Sequence, residues 1–248
     1  MSAEASTELA AIDLYGAELL RAATEPAGDP VLHMVDEHGE RTALALERYV
    51  GRAAAEEDGV LERTVAPVLD IGCGPGRHVV ALGRRGVAAV GLDISPPAVW
   101  LARRRGASVI EGSIFSRVPH AGQWGSALLL DGNIGIGGEP AQLLARVSTL
   151  LRRQGVILVE VEPPGAALRS ANVHLLSARA RSRRFRWARL GIDDIDAVAA
   201  DASLTVSEHW HAGGRWFAAL GRPAGGAHDA GGARGADGAG SQARGARL

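Results

Sequence analysis

A glycine-rich run preceded by an aspartate is the segment whose residue types are best suited to hold a ligand. It reads Val68-Leu-Asp-Ile-Gly-Cys-Gly-Pro-Gly-Arg-His78 and lies where a short apolar strand is predicted to turn into a helix. Glycine allows the backbone to approach a ligand closely and to adopt φ values closed to other residues. Asp93 follows Gly76 by seventeen residues and ends the next predicted strand, where a carboxylate can accept hydrogen bonds from both hydroxyls of a ribose. The spacing predicts a ribose-containing cofactor at the strand ends of an open sheet.

The spacing of the glycines separates two kinds of cofactor loop. Dinucleotide enzymes use G-x-G-x-x-G, with a pyrophosphate at the helix N-terminus. Here the pattern is G-x-G-x-G, with Pro75 in the loop and Asp70 two residues before the first glycine. It resembles motif I of the class I, Rossmann-like S-adenosylmethionine (SAM)-dependent methyltransferases, over about Pro67 to Leu220. The resemblance implies a SAM-dependent methyltransferase; the alternatives are an NAD(P)-dependent oxidoreductase and a non-catalytic SAM-binding protein.

The resemblance also implies roles for individual residues. Asp70 would orient the loop and hold the cofactor's amino group, directly or through water, and Asp93 would bind the ribose hydroxyls. Ile94 would pack on the adenine, and Asp131, which closes the fourth strand, would face the transferred methyl group. The other residues implied at the cofactor are Gly72, Cys73, Gly74, Gly76, Ser113 and Ile114.

Two positions depart from patterns common among methyltransferases. Many class I members carry an aspartate just after the third strand, whereas this chain has Glu111-Gly-Ser113-Ile114. Ser113 and the backbone of Ile114 are therefore the expected adenine contacts. Nucleic-acid amino-methyltransferases usually carry Asp/Asn-Pro-Pro-aromatic after the fourth strand, where this chain has Asp131-Gly-Asn-Ile134. This difference argues against a nucleobase amine as the acceptor of the methyl group.

Methyl transfer from a sulfonium is an in-line displacement, so the protein has mainly to align the reactants and exclude water. A hydroxyl acceptor also needs a proton-accepting partner, whereas a neutral amine does not. Asn133, in the glycine-rich loop Asp131 to Gly138, and His174 are the candidate catalytic residues, as acceptor ligand and base. The alternatives are that Asn133 caps a turn and that His174 is a packing or surface residue. Cys73 is interpreted as a small loop residue rather than a nucleophile.

The elements that must position these residues alternate along the chain from Pro67 to Leu220. Apolar runs predict five strands, and a hairpin with Ala212-Gly-Gly214 at its turn adds an antiparallel edge. We therefore predict an α/β fold: a Rossmann-like, open, mostly parallel seven-stranded sheet with helices on both faces and a C-terminal antiparallel hairpin. The predicted strands are 68–71, 87–92, 107–110, 126–130, 156–161, 204–211 and 215–220. The predicted helices are 76–85, 96–105, 139–153, with Gly155 as its C-cap, and 192–202.

Three segments are distinguished by composition. Residues 1–65 form an N-terminal extension with a helix at 14–23, a hairpin of 31–35 and 41–46, and a helix at 47–60; it is either a lid or a packing extension. Residues 66–222 form the SAM-binding domain. Residues 223–248 are predicted to be a disordered tail, because 16 of these 26 residues are Gly or Ala and a segment so poor in large apolar residues buries too little surface to order itself.

Composition limits the partners. The 27 basic and 28 acidic residues nearly cancel, which argues against nucleic acid or an anionic membrane as partner and favours a small-molecule acceptor.

Six arginines in Arg179 to Arg189 flank Phe185 and Trp187; a solvated face with two buried rings is preferred over a phosphate or RNA site. One cysteine and no metal-ligand spacing predict no structural zinc. Without a signal pattern or a membrane-spanning run, we expect a cytoplasmic protein. The sequence specifies neither the acceptor nor the oligomeric state.

Overall fold

Residues 9–25 and 32–223 are described by the computed structural model, and they form two β-sheets with helices packed around them. The strands are β1 (Leu32–Val35), β2 (Arg41–Leu44), β3 (Val68–Ile71), β4 (Ala89–Asp93), β5 (Val109–Glu111), β6 (Trp124–Leu129), β7 (Leu151–Val161), β8 (Arg169–Leu176), β9 (Phe185–Arg189), β10 (Thr205–Ala212) and β11 (Arg215–Gly221). The α-helices are α1 (Ala11–Thr24), α2 (Leu46–Val50), α3 (Asp58–Glu62), α4 (Arg77–Arg84), α5 (Pro96–Arg104), α6 (Pro140–Ser148) and α7 (Ile195–Asp201). Within these two ranges, no helix has the length and apolar character needed to cross a bilayer.

The larger sheet has seven strands in the order β10-β11-β7-β6-β3-β4-β5. Strands β3 to β7 run parallel, and β11 pairs antiparallel with β7 and with β10. The predicted fold class is therefore confirmed, including the C-terminal hairpin. Its strand order changes direction between β3 and β6, and ligands bind at the carboxyl ends of strands beside such a switch point.

Neighbouring residues of the central strands serve two different helical layers. Leu69 on β3 and Leu129 on β6 pack with α6 and α7 on one face of the sheet. Val68 and Leu128, each one residue earlier, pack with α3 and α4 on the other face. Side chains alternate across a strand, so both faces of these strands need apolar residues. This explains the continuous apolar runs in the sequence.

The helix predicted over 139–153 is wrong at its C-terminal end. Helix α6 ends at Ser148, and Gly155, the predicted C-cap, lies inside β7. Leu151 pairs with Trp124, but the next paired residues are Val156 and Ser126, so β7 carries extra residues at this point. A Cβ at Gly155 would lie 3.1 Å from the Trp124 carbonyl oxygen. The glycine therefore marks a strand irregularity with close backbone approach, a second reason for glycine besides a helix end.

The N-terminal predictions are correct for two elements and wrong for one. The helix forms as α1, and the hairpin forms as antiparallel β1 and β2. Val31 lies outside the described residues, as do residues 1–8 of the predicted extension and residues 224–248 of the predicted tail. The helix predicted over 47–60 is instead split into α2, a 3-10 turn at Ala55–Glu57 and α3. The guanidinium of Arg105 donates to the Gly51 carbonyl, where the backbone is extended, and this interaction replaces a helical hydrogen bond.

A second, four-stranded sheet in the order β2-β1-β8-β9 was not predicted. Its strands are antiparallel, and Met34 of β1 faces Leu175 of β8 across about 140 residues of chain. The N-terminal extension is thus joined by backbone hydrogen bonds to the segment after β7. Pairing between such distant segments leaves no local signal, because a pattern within one strand does not report which strand lies beside it.

Two Gly→Ala substitutions should distinguish the packing role of the glycine at the irregularity in β7 from that of a glycine with open space around it. In Gly155→Ala the new methyl group meets Leu151 and Trp124, and we expect the free energy of unfolding to fall by about 1–3 kcal/mol. Gly83→Ala, in α4 with open space around it, should leave that free energy unchanged or raise it by up to about 1 kcal/mol. Urea denaturation measures both. Equal effects would contradict the interpretation of Gly155 as a packing glycine.

Candidate cofactor and acceptor site

A cavity of about 480 Å³ lies above the carboxyl ends of β3, β4, β5 and β6. The larger sheet contributes the residues that follow these strands: Gly72 to Pro75, Asp93 and Ile94, Gly112 to Phe115, and Asp131 with Asn133. The second sheet and the N-terminal helices contribute the remaining lining. The cavity is therefore where an open α/β sheet binds its ligand.

The glycine loop is held against Asp93. One carboxylate oxygen accepts a hydrogen bond from the Gly74 N–H at 2.8 Å, and the other accepts one from the Ser95 N–H at 2.8 Å. Burial raises the pKa of Asp93, and these backbone donors offset that rise only in part. The carboxylate thus lies directly at the bend, as the sequence spacing predicted, and both remain on the cavity lining.

Asn133 braces the other side of the loop. Its side-chain amide donates to the carbonyls of Ile71 at 2.9 Å and Gly72 at 3.0 Å. Gly72 has a φ of 69°, and a Cβ there would lie 2.6 Å from the Asn133 amide nitrogen. Only glycine fits this conformation and this contact. The amide group of Asn133 is therefore committed to the loop, which fits a positioning residue better than the predicted ligand of the acceptor.

Most residues predicted at the cofactor line this cavity, namely Gly72, Cys73, Gly74, Asp93, Ile94, Ser113, Ile114 and Asp131. Asp70 and Gly76 do not: Asp70 is buried beneath the loop, and Gly76 packs against Ala102 and Ala107 at the start of α4. Their predicted cofactor contacts stay predictions. Cys73, within the loop, is buried, and burial raises the pKa of its thiol, which agrees with a packing residue rather than a nucleophile.

A network of buried charges closes the inner end of the cavity. The Arg77 guanidinium bonds to Asp131, at 2.6 and 3.0 Å, and to Glu57. Arg215 bonds to Glu57 at 2.6 Å and to both oxygens of Glu160 at 2.8 and 2.6 Å. Buried charges are tolerated when each is paired in this way. Glu160 is therefore neutralised by Arg215.

Asp131 takes part in this network from the end of β6. Its carboxylate accepts from Arg48 at 2.7 Å and from Arg215 at 3.2 Å, besides Arg77. Its own N–H donates to Glu160 at 2.6 Å, and its φ of 56° is unusual for a residue other than glycine. Burial raises the pKa of Asp131. The positive charges of Arg77, His78 and Arg48 lower that pKa by more, so the net shift is downward. Asp131 therefore stays ionised and is a weak base.

His174 does not lie on the cavity lining. In β8 its neighbour Leu175 lines the cavity, and side chains alternate along a strand, so His174 points to the opposite face. The expectation that it acts as the base is thus not supported by its placement. His78 is also structural: its Nε2 lies 3.2 Å from Glu57 and its Nδ1 lies 3.6 Å from Asp70.

Sequence reasoning missed the roof of the cavity, which we define as the lining side chains of the second sheet. These are Met34, Leu44, Leu175, Phe185 and Trp187. Phe185 and Trp187 lie two residues apart on β9, so that spacing was a signal for one shared face. Arg186, between them, is exposed and pairs with Glu139 at 2.7 Å, as expected for a solvated strand face with two inward rings.

Two tyrosines missed by the sequence analysis also reach the lining. Tyr15 comes from α1 and Tyr49 from α2, so the N-terminal extension covers part of the cavity. Burial is the main reason why the pKa of Tyr15 is well above its usual value, and Asp93 adds to the rise. Burial likewise raises the pKa of Tyr49 to about 12. Both phenols stay protonated at neutral pH.

Comparisons with known proteins agree with this geometry. Residues 68–155 match the protein family described as "Methyltransferase domain". A SAM-dependent methyltransferase from Bacteroides fragilis, in complex with S-adenosyl-L-homocysteine (SAH), is 21% identical and covers 87% of this chain and 97% of its own, with a TM-score of 0.68. The CcbJ methyltransferase from Streptomyces caelestis is 16% identical, with coverages of 70% and 92% and a TM-score of 0.54. The sugar N-methyltransferase KedS8 from Streptoalloteichus sp. ATCC 53650 is 20% identical, with coverages of 68% and 87% and a TM-score of 0.50. No curated protein sequence matches the chain.

The fold and the glycine loop define an α/β protein with its ligand site at the ends of parallel strands. Residues 68–155 match a methyltransferase domain, and the described residues have the fold of a SAM-dependent methyltransferase, which supports a SAM-dependent methyltransferase with S-adenosylmethionine as its cofactor. The resemblance noted in the sequence is therefore confirmed.

The charge network predicts a pH-dependent stability. Burial alone lowers the pKa of His78, but the carboxylates of Asp70 and Glu57 outweigh it and raise the value to about 9. Because this pKa lies above the unfolded value of about 6.5, protonated His78 stabilises the folded state. This stabilisation is complete below pH 6.5 and disappears as the pH rises through 9. We expect a loss of about 3 kcal/mol in the free energy of unfolding from this group over that range. Urea titrations of the wild type and of His78→Gln between pH 6 and 10 measure it; a difference between the two that does not change with pH would contradict it.

Proposed function

We propose that this methyltransferase transfers a methyl group from SAM to an oxygen or nitrogen atom of a small molecule. The observation that carries the proposal is the contact between the Asp93 carboxylate and the Gly74 N–H beneath an open cavity. It brings the two parts of the predicted cofactor site together at the end of the parallel strands. The structural similarity to KedS8, a sugar N-methyltransferase, supports a small-molecule acceptor and transfer to nitrogen.

The lining residues fit the parts of the cofactor. The backbone from Gly72 to Gly74 would follow the ribose and the methionine chain, and Asp93 would accept the ribose hydroxyls. Ile94 and Phe115 are apolar side chains that are 55% and 52% exposed on the lining, a placement suited to covering an adenine. Ser113, between them in the chain, supplies a hydroxyl for the adenine edge. When bound, SAM supplies a methyl group made electrophilic by its sulfonium.

The charges of the site suit a cation. Burial is the main reason why the pKa of Tyr15 is raised, and the carboxylates of Asp93 and Asp131 add to the rise, so negatively charged groups lie near its hydroxyl. A negative potential stabilises a sulfonium. Tyr15 and the roof would cover the reacting atoms and exclude water, leaving alignment as the main contribution of the protein.

The described lining favours an acceptor that reacts without a protein base. Tyr15 and Tyr49 keep their protons, Asp131 is held ionised by three arginines, and His174 faces away. A neutral amine can attack the methyl group directly and release its proton to solvent afterwards. Nitrogen is therefore the preferred acceptor atom in this proposal.

Substitution of Asp93 tests the cofactor site. We expect Asp93→Ala to weaken SAH binding by about 1–3 kcal/mol, because it removes both the ribose acceptor and the hydrogen bond to Gly74. Isothermal titration calorimetry measures the dissociation constant. Asp196→Ala is the matched control, since that aspartate is exposed, pairs with His209 and does not line the cavity. If the wild type does not bind SAH at millimolar concentration, the proposed function fails.

The two candidate catalytic residues should behave differently. Asn133→Ala releases the carbonyls of Ile71 and Gly72, and we expect it to weaken SAH binding about tenfold because the loop loses its brace. His174→Gln should leave SAH binding and kcat/KM within roughly threefold of the wild type, because its side chain faces away from the cavity. Steady-state kinetics with any acceptor that is turned over measure the second. A large loss of kcat in His174→Gln, with an altered pH profile, would restore it as the base.

A further inference from the structure

We propose that the acceptor is an uncharged, mainly apolar aromatic molecule that presents a single amino or hydroxyl group, bound between the roof and the glycine loop. This inference rests on the proposed function and names the class of acceptor. It differs from a sugar, the substrate class of the sugar N-methyltransferase KedS8. The observations that carry it are the one-sided apolar roof, the pairing of every charged lining group, and the small number of polar atoms facing the acceptor.

The roof is the apolar part of one face of the second sheet; Thr42, Arg169 and Arg189 lie on the same face outside the cavity lining. Met34 pairs with Leu175 across β1 and β8, and Trp187 pairs with Ala171 across β9 and β8, so their side chains share a face. Phe185 and Leu44 belong to the same face by strand alternation, and all of these apolar residues except Ala171 line the cavity. An apolar lining of this kind complements an apolar molecule.

The two aromatic rings of the roof are fixed by the loop after β6. Phe185 and Trp187 meet edge to face, with ring centroids 6.0 Å apart and planes at 82°. Ile136 forms a backbone bridge with Trp187, and a Cβ at Gly135 would lie 2.5 Å from the Trp187 ring nitrogen. The glycines of the loop therefore let β9 approach closely and hold the rings in place. Rings fixed at right angles offer an edge and a face to an aromatic acceptor.

The charged groups on the lining are already paired. Arg77 is bound by Asp131 and Glu57, and its side chain is only 4% exposed. Asp93 is held by two backbone donors, and Asp131 by three arginines. A phosphate or carboxylate on the acceptor would meet no uncommitted cation among the described lining residues.

Polar atoms that could bind a sugar are few on the acceptor side. The roof contributes one polar group, the Trp187 ring N–H, and that ring packs against the loop. Tyr15 and Tyr49 add two hydroxyls, while the amide nitrogen of Asn133 donates to the loop carbonyls. The several hydroxyls of a sugar would lose their bonds to water without gaining partners. One hydroxyl or amino group beside the tyrosines is what this lining can satisfy.

A calorimetric comparison of three related probes tests the proposal on the full chain saturated with SAH. The probes are 2-naphthol, 2-naphthyl phosphate and 2-naphthyl glucoside, which share one ring system and differ in charge and polarity. We expect 2-naphthol to bind at least about tenfold more tightly than either derivative. Equal or tighter binding of the phosphate or the glucoside would overturn the proposal, as would no binding of 2-naphthol at its solubility limit.

Roof variants show whether the probe occupies the proposed place. Phe185→Ala and Trp187→Ala should each weaken 2-naphthol binding by about tenfold or more while SAH binding stays within about twofold. Trp100→Ala, an exposed aromatic residue on α5 off the lining, is the matched control and should change neither. Should thermal melts show that an alanine variant is unfolded, Phe185→Leu and Trp187→Phe replace them, with the loss of binding expected to be smaller but in the same direction. Unchanged 2-naphthol binding in folded roof variants would overturn the proposal.

The outcomes distinguish this inference from the proposed function. If SAH does not bind, the proposed function is wrong. If SAH binds and the glucoside or the phosphate is preferred, only the acceptor class is wrong. Phe185→Lys gives a further check, because a cation on the roof should shift the preference from 2-naphthol towards 2-naphthyl phosphate by about tenfold. No shift in a folded variant would contradict the placement of the acceptor under Phe185.

Discussion

The guanidinium of Arg77 joins the three parts of the chain that enclose the cavity. It follows the glycine loop directly, bonds to Asp131 at the end of β6, and bonds to Glu57 in the N-terminal extension. Glu57 and Asp131 in turn bind Arg215 from the C-terminal hairpin. A buried guanidinium must be surrounded by carboxylates, so the extension, the sheet and the hairpin are constrained to meet at this point. The inner wall of the cavity follows from that requirement.

The two sides of the cavity have opposite chemical characters, and each follows from its element. The floor consists of loops after parallel strands, which present backbone groups and the carboxylates of Asp93 and Asp131. The roof is the buried face of an antiparallel sheet, which presents alternate apolar side chains. A cofactor with a ribose, an amino acid and a cationic sulfur suits the floor, and an apolar acceptor suits the roof. The reaction would take place where the two sides meet, near Asp131 and Tyr15.

Elements with local determinants were predictable, and elements with distant partners were not. The loop, the strands of the larger sheet and the C-terminal hairpin were predicted because their signals lie within a few consecutive residues. The helix over 139–153 was extended too far because Gly155 was taken as a helix end, whereas it allows close approach of Trp124. Strands β8 and β9 were missed because their partners lie in the N-terminal extension and in each other. The same reason hid Tyr15, Tyr49, Phe185 and Trp187 as lining residues.

The sequence by itself determined the fold class, the cofactor loop and its acidic partner at Asp93, since glycine spacing and apolar runs constrain the backbone locally. Only the tertiary structure decided which side chains line the cavity, which charges are already paired, and that Asn133 braces the loop while His174 points away. These properties depend on which strand pairs with which and on the face each residue occupies. A shift of one residue reverses that face, and no local pattern reports the partner.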